Sequence, residues 1–188
     1  MEAPDNLSKS FGLGIAFLIP GAVGLYAISF YVPTIESWFG AATDGETTVG
    51  GFLFAILGSA GMGVFISGVR WLVLESEYGV RALKYEFAPR PPAGLDLARR
   101  RDEKCEAAYQ DLLFRHYQFY QFYANMPFAL GFLYSAWTLS GSAATDRAIW
   151  LAALMSVADL VLLLSARHAI QRYSERLVDL LGIRNAAA

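Results

Sequence analysis

Charged residues are missing from four long stretches of this chain, and the gaps define its layout. Residues 11–33 and 47–69 hold no Asp, Glu, Lys or Arg; 116–145 hold none either, and 148–166 hold only Asp159. A helix rises 1.5 Å per residue, so about 20 residues cross a hydrocarbon layer of ~30 Å. The pattern predicts an all-α integral membrane protein with four transmembrane helices, at about 11–32, 49–74, 122–139 and 148–166, in a single transmembrane domain over 1–188. The first stretch is too long for a signal-peptide core. It has no basic run before it and no A-x-A-like cleavage site behind it, so it reads as a retained span.

Two features shape the first two spans. Pro20-Gly21 lies near the centre of span one and predicts a kink, whose opened backbone bonds need support from a neighbouring helix. Small residues recur every four positions, as Gly12, Ala16, Pro20 and Gly24 in span one and as Ser59, Gly63 and Ser67 in span two. Such spacing lets helix backbones approach closely, so these spans are expected to pack tightly, within one chain or between subunits.

Between spans two and three lies a connector, 75–121. The span-two helix is expected to continue past Leu74 to about Phe87, where the proline-rich linker 88–94 stops it. A new helix from about Leu95 or Asp96 should run into span three. Its seam is Ala98, Cys105, Tyr109, Leu112, His116, Phe119 and Tyr123, a heptad-like series. Tyr117, Phe119, Tyr120, Phe122 and Tyr123 are expected at the headgroup level. After span four, Ile170, Tyr173, Leu177 and Leu180 give an amphipathic C-terminal helix over 167–183, with Gly182 as its C-cap. Its expected partner is the 95–116 helix of the same or a neighbouring subunit, with the lipid headgroups as the alternative.

Charge then orients the chain. Lys9 precedes span one, eight Lys and Arg lie in the connector, and Arg167, Arg172, Arg176 and Arg184 follow span four. Against them stands Arg147 alone, between spans three and four. The positive-inside rule therefore places both termini and the connector in the cytoplasm, in a multi-pass protein of an inner or plasma membrane. A 55% hydrophobic content and a mean hydropathy of +0.37 leave little for a separate soluble domain. The single cysteine, Cys105, excludes an intramolecular disulfide.

Asp159 is the residue most out of place. A charged Asp near mid-membrane costs ~2.5–3.5 kcal/mol, so it should face a bundle interior or a wet cavity and have a partner. Ala152 and Ser156 share its helix face. Arg70, at a depth within ~5 Å of it by helical rise, is the candidate counter-ion, with Asn125 as a third member. The other reading of Arg70 is snorkelling to the interface beside Trp71. On the cytoplasmic side, Arg99, Arg100, Arg101, Lys104, Tyr109, Leu112, Tyr173 and Leu177 form the expected interaction surface. The basic cluster within it is a topology marker or an anionic-lipid contact.

His116, His168 and Cys105 show no zinc-ligand spacing, and no metal or cofactor is expected. The chain has no GxxxxGK[ST], GxSxG, HExxH or GxGxxG sequence and no nucleic-acid module, which argues against an energy-coupled pump acting alone. The expected function is a non-enzymatic, homo-oligomeric membrane module, acting as a small channel or pore or as a membrane sensor coupled to a cytoplasmic protein. Its partners would be the lipid bilayer, further copies of itself and that cytoplasmic protein, with no nucleic acid. The alternatives are a transport or proton-coupled subunit using Asp159 and a membrane-embedded lipid-modifying enzyme. The enzyme would draw on Asp159, His116 or His168, which the sequence scatters. In architecture only, the layout is similar to the small multi-span effectors and sensors of prokaryotic defence operons; no motif carries that likeness.

Overall fold

The computed structural model describes residues 12, 14–39, 49–76, 103–141 and 145–181. Among these there are helices and no strands. They are α1 (Gly14–Ser29), α2 (Pro33–Trp38), α3 (Val49–Glu75), α4 (103–139) and α5 (Thr145–Leu181). Helices α1, α3 and α4 pack against one another, α5 runs along α4, and the short α2 folds over the top of α1 and α3.

Two of these helices are long and apolar enough to cross a membrane, over Val49–Glu75 and Arg147–Leu177. The four expected spans thus do not all meet that standard. Helix α1 is shorter than expected, because Val32 precedes Pro33 and is pushed to extended backbone (φ −124°, ψ 97°). The chain turns at Phe30 and Tyr31 and restarts as α2, so α1 ends at Ser29 instead of 32. The Gln118–Leu139 part of α4 carries no charge, but its glutamines, Asn125 and tyrosines dilute its apolar character.

Pro20 governs the shape of α1. It has no N–H to bond the carbonyl four residues back, that of Ala16. The turn before it, Gly14–Leu18, is π-helical, and the regular α-helix begins at Ile19. Asn125 of α4 supplies the missing donor: its Nδ2 reaches the Ala16 carbonyl at 3.0 Å. This is the neighbouring-helix support that the Pro20-Gly21 step requires.

One turn further on, α1 and α3 meet almost backbone to backbone. A Cβ at Gly21 would collide with the Ser59 carbonyl and lie 2.6 Å from the Gly63 nitrogen. A Cβ at Gly63 would collide with the Phe17 carbonyl group, and one at Gly24 would press on Met62 and Ile66. Ala16, Gly24, Ser59 and Gly63 are buried, and Ser67 is half-buried. Gly12 faces the Gln118 side chain of α4 rather than α3.

The base of the fold departs further from the sequence pattern. Helix α3 was expected to reach about Phe87, but it changes to a π-helical turn over Trp71–Glu75, and Ser76 turns to extended backbone (φ −74°, ψ 161°). The Ser76 N–H bonds the Trp71 carbonyl at 2.9 Å and its hydroxyl bonds the Leu72 carbonyl at 2.6 Å, closing the helix end. Residues 77–102 lie outside the described residues, and with them the linker 88–94, Ala98, Arg99, Arg100 and Arg101.

Helix α4 also contains a π-helical turn, Leu113–Tyr117. A π-turn adds one residue to a helical repeat, so it rotates the remainder of the helix about its axis. Tyr109 and Leu112 pack into the core before it. From its last residue onward, Tyr117, Tyr120, Tyr123 and Ala124 pack in or against the core, while Phe119 of the expected seam is exposed. The seam is displaced by the inserted residue. Leu74, Leu112, Tyr120, Ala166, Ile170, Tyr173 and Leu177 form one buried cluster, so the C-terminal part of α5 packs on α4 of the same chain. Helix α5 is continuous over 37 residues, ~55 Å.

The α1–α3 contact leads to an expected contrast between glycines. Gly63→Val should destabilise the protein by about 1–3 kcal/mol through overpacking. Gly61→Ala, whose Cβ meets nothing within 4 Å, should be neutral or slightly stabilising. Thermal unfolding in mild detergent checks both; equal melting temperatures would show that the close contact is absent.

Candidate functional site

The base of the bundle holds a buried polar cluster where α3 meets α4. Arg70 is the last residue of the regular part of α3, and its side chain is only 3% exposed. Five residues on, Glu75 is 11% exposed, and its Oε1 pairs with Arg70 Nη1. In a regular α-helix, side chains three or four apart are neighbours, and five apart are not. The π-turn between them, with its i→i+5 bonding, brings the two to one side.

Tyr120 completes the cluster from α4. Its hydroxyl donates to the same Glu75 oxygen at 2.8 Å, and its ring lies 5.2 Å from the Arg70 guanidinium carbon. The positive charge therefore has a carboxylate on one side and a π-face on the other. Arg70 Nε is buried with no hydrogen-bond partner. Tyr117, one turn earlier, stacks at a tilt on Tyr120 at 5.7 Å and on Tyr173 of α5 at 5.5 Å. Burial pushes the Tyr117 phenol above its ordinary value, with the Glu75 carboxylate adding to the effect, so it stays neutral. Ring to ring, the cluster links the end of α3 to the tail of α5.

The expected Arg70–Asp159 pair is not formed. Helices α3 and α5 share no extended contact, since α4 lies between them, and Arg70 is committed to Glu75. Nor does Arg70 snorkel outward; Trp71 is exposed while Arg70 is enclosed. Asn125, expected as a third member, is fully buried and binds the Ala16 carbonyl. Asp159 is half-buried, with its Oδ1 enclosed and without a hydrogen-bond partner. Ser156, one turn away, is exposed, and its hydroxyl donates to the Ala152 carbonyl at 2.8 Å.

Sequence reasoning missed Glu75, because a five-residue spacing matches no helical pairing rule. It took Tyr120 for an interfacial anchor, because its partner comes from another helix. It also missed Gly21, whose role depends on how α1 approaches α3. Tyr109 is half-buried, and Leu112, Tyr173 and Leu177 are buried in the α4–α5 core rather than presented to a partner. The side chains of Lys104 and Cys105 lie outside the described residues. His116 and His168, far apart in sequence, line one groove between α4 and α5. Among the described residues no three His, Cys, Asp or Glu side chains gather as metal ligands.

Comparison with protein-family models, with curated proteins and with solved structures finds no match to this chain. The cluster has to be read from its own chemistry. Its members neutralise and fix one another, and none projects into open space as a nucleophile or base would need to.

Arg70→Ala and Glu75→Ala should each destabilise the fold by about 3–5 kcal/mol, because each leaves a buried charge alone. The double variant should fall well short of the sum, whereas Arg70→Ala combined with Asp159→Ala should be additive. Denaturation in detergent of these four variants and of Asp159→Ala alone measures both cycles, and additivity of the Arg70 and Glu75 changes would rule the pair out.

Proposed function

We propose that this chain is a non-enzymatic, homo-oligomeric module that crosses an inner or plasma membrane four times, with both termini and the 103–117 helix in the cytoplasm. Copies meet along α5 and form a small channel. The outward faces of α3 and α5 support the membrane part of this reading. Phe52, Leu57, Val64 and Phe65 on α3 and Trp150, Leu154, Val157 and Leu164 on α5 are all more than half exposed. Soluble monomers rarely display contiguous apolar patches of that extent, whereas lipid covers them at no cost. Helix α4 packs on α1, α3 and α5, and α1 packs on α3 and α4 in the same bundle. If α3 and α5 cross the bilayer, the uncharged 14–29 and 118–139 segments cross beside them.

Asp159 carries the oligomeric part. It sits on α5 beside the exposed Ser156 and Leu160, with an enclosed carboxyl oxygen that nothing bonds. Facing lipid it would be expensive; the same face of another copy would exclude lipid and let the acids share protons or a cation. Several copies around an axis would bring Ser156 and Asp159 into a ring, and acidic rings favour cations. A sensor coupled to a cytoplasmic protein is the second reading. The Arg70–Glu75–Tyr120 cluster and the Tyr117–Tyr173 contact favour it, since they tie the base of α3 to the tail of α5.

Particle mass in mild detergent should show three or more copies of the 20.6 kDa chain. A monomer would remove the channel. In liposomes, Asp159→Asn should lower cation conductance several-fold without dissociating the oligomer. With Cys105 replaced by serine, an impermeant thiol reagent added outside cells should label Arg147→Cys and spare Gln171→Cys. The opposite pattern would reverse the orientation.

A further inference from the structure

Where α5 passes from its apolar stretch into its charged tail, it leaves a groove of about 720 Å³ against α4. The two halves of this groove differ in chemistry. One is apolar, formed by Val161 and Leu164 of α5, and Phe119 and Tyr123 line the groove from α4. The other is cationic, formed by Arg172 and Arg176, with His168 beside them. His168, Arg172 and Arg176 succeed one another at four-residue intervals, so they stand one above another along α5. From Val161 to Arg176 the helix rises ~22 Å, so the change from apolar to cationic runs along the groove.

The charge in this groove is unbalanced. Neither arginine has an ion pair among the described residues, and Glu175, between them in sequence, does not line the groove. His116 faces the cationic half from α4. An occupant must then be anionic at one end and apolar over most of its length. A peptide helix or a free anion satisfies one half only.

We propose that this groove binds one anionic glycerophospholipid, its phosphate held by Arg172 and Arg176 beside His168 and an acyl chain laid along Phe119, Val161 and Leu164. The site rests on the membrane reading above. It is distinct from the Arg70–Glu75–Tyr120 cluster, which faces α3, and none of its residues belongs to the expected Arg99–Arg100–Arg101–Lys104 surface.

The test uses the full chain in mild detergent, titrated with phosphatidylglycerol or with phosphatidylcholine and read by native mass spectrometry. One phosphatidylglycerol should bind in preference to phosphatidylcholine. Arg172→Gln and Arg176→Gln should each weaken its retention about fivefold, which is about 1 kcal/mol apiece, and leave phosphatidylcholine retention unchanged. Equal retention of the two lipids, or indifference to both substitutions, would overturn the site. So would full displacement of the lipid by excess inorganic phosphate, because the apolar half would then contribute nothing. A photoreactive side chain at position 165 should yield an adduct of phospholipid mass; a cross-link to a second copy would make the groove a subunit interface instead. Carbonate washing of membranes separates the two levels. Protein released by carbonate overturns the membrane reading itself, whereas carbonate-resistant protein without lipid preference overturns only this site.

Discussion

Asn125 closes the gap that Pro20 opens in α1, and the mutual placement of three helices depends on that one amide. A helix carbonyl deprived of its N–H partner and enclosed away from water is expensive to leave open. The Ala16 carbonyl has lost its regular N–H partner at Pro20, and a donor from another helix satisfies it without water. Asn125 is fully buried and points its amide there. Because it comes from α4, the bend of α1 and the height of α4 are fixed by the same bond. Gly21 and Gly24 then fall one turn further along, at the level of Ser59, Gly63 and Met62 on α3. The close contact of α1 with α3 is thus downstream of a missing proton on Pro20.

The base is organised by two π-helical turns that lie close together. In α3 the turn Trp71–Glu75 swings Glu75 round to Arg70; in α4 the turn Leu113–Tyr117 rotates Tyr117 and Tyr120 into the core. Neither alone would build the cluster. Without the first, Glu75 points away from the arginine, and without the second, Tyr120 does not reach Glu75. A buried ion pair contributes little net stability over an apolar substitute, but it tolerates very few arrangements of its surroundings. It therefore selects the structure in which both π-turns are present, and it holds α3 and α4 in one register.

What the sequence made legible was whatever a single helix decides for itself. The stripe Ile170, Tyr173, Leu177 and Leu180 lies on one side because of helical geometry alone, and that side is the one packed on α4. The same holds for the continuity of α5 and for the small-residue face of α3. What stayed hidden needed two elements at once. The seam through His116, Phe119 and Tyr123 assumed 3.6 residues per turn throughout, and one inserted residue left Phe119 exposed and made Tyr120 and Ala124 the buried positions, with Tyr123 still packed at the edge of the core. Arg70 was assigned the only intramembrane acid in view, Asp159, because depth along a helix can be counted and helix neighbourhood cannot. The end of α1 at Ser29 was legible in principle, since Pro33 restricts Val32. Hydrophobicity, which continues unbroken to Val32, concealed it.

Placing α4 between α3 and α5 separates the two ionisable side chains that looked like partners. Arg70 faces inward, where Glu75 neutralises it and the Tyr120 ring lies against it, while its Nε stays buried and unbonded. Asp159 sits on the far side of α4, on a helix with only one flank covered. Among the described residues no cation pairs with Asp159. In the proposed oligomer its charge would be removed by a proton or offset by a permeating cation, while the matching face of another copy, which brings a second Asp159, would only exclude lipid. Either would place the residue at a boundary of the proposed subunit. That is why the oligomer and the channel are one proposal rather than two: the covering that makes Asp159 tolerable in lipid is also what would line a path with carboxyl groups.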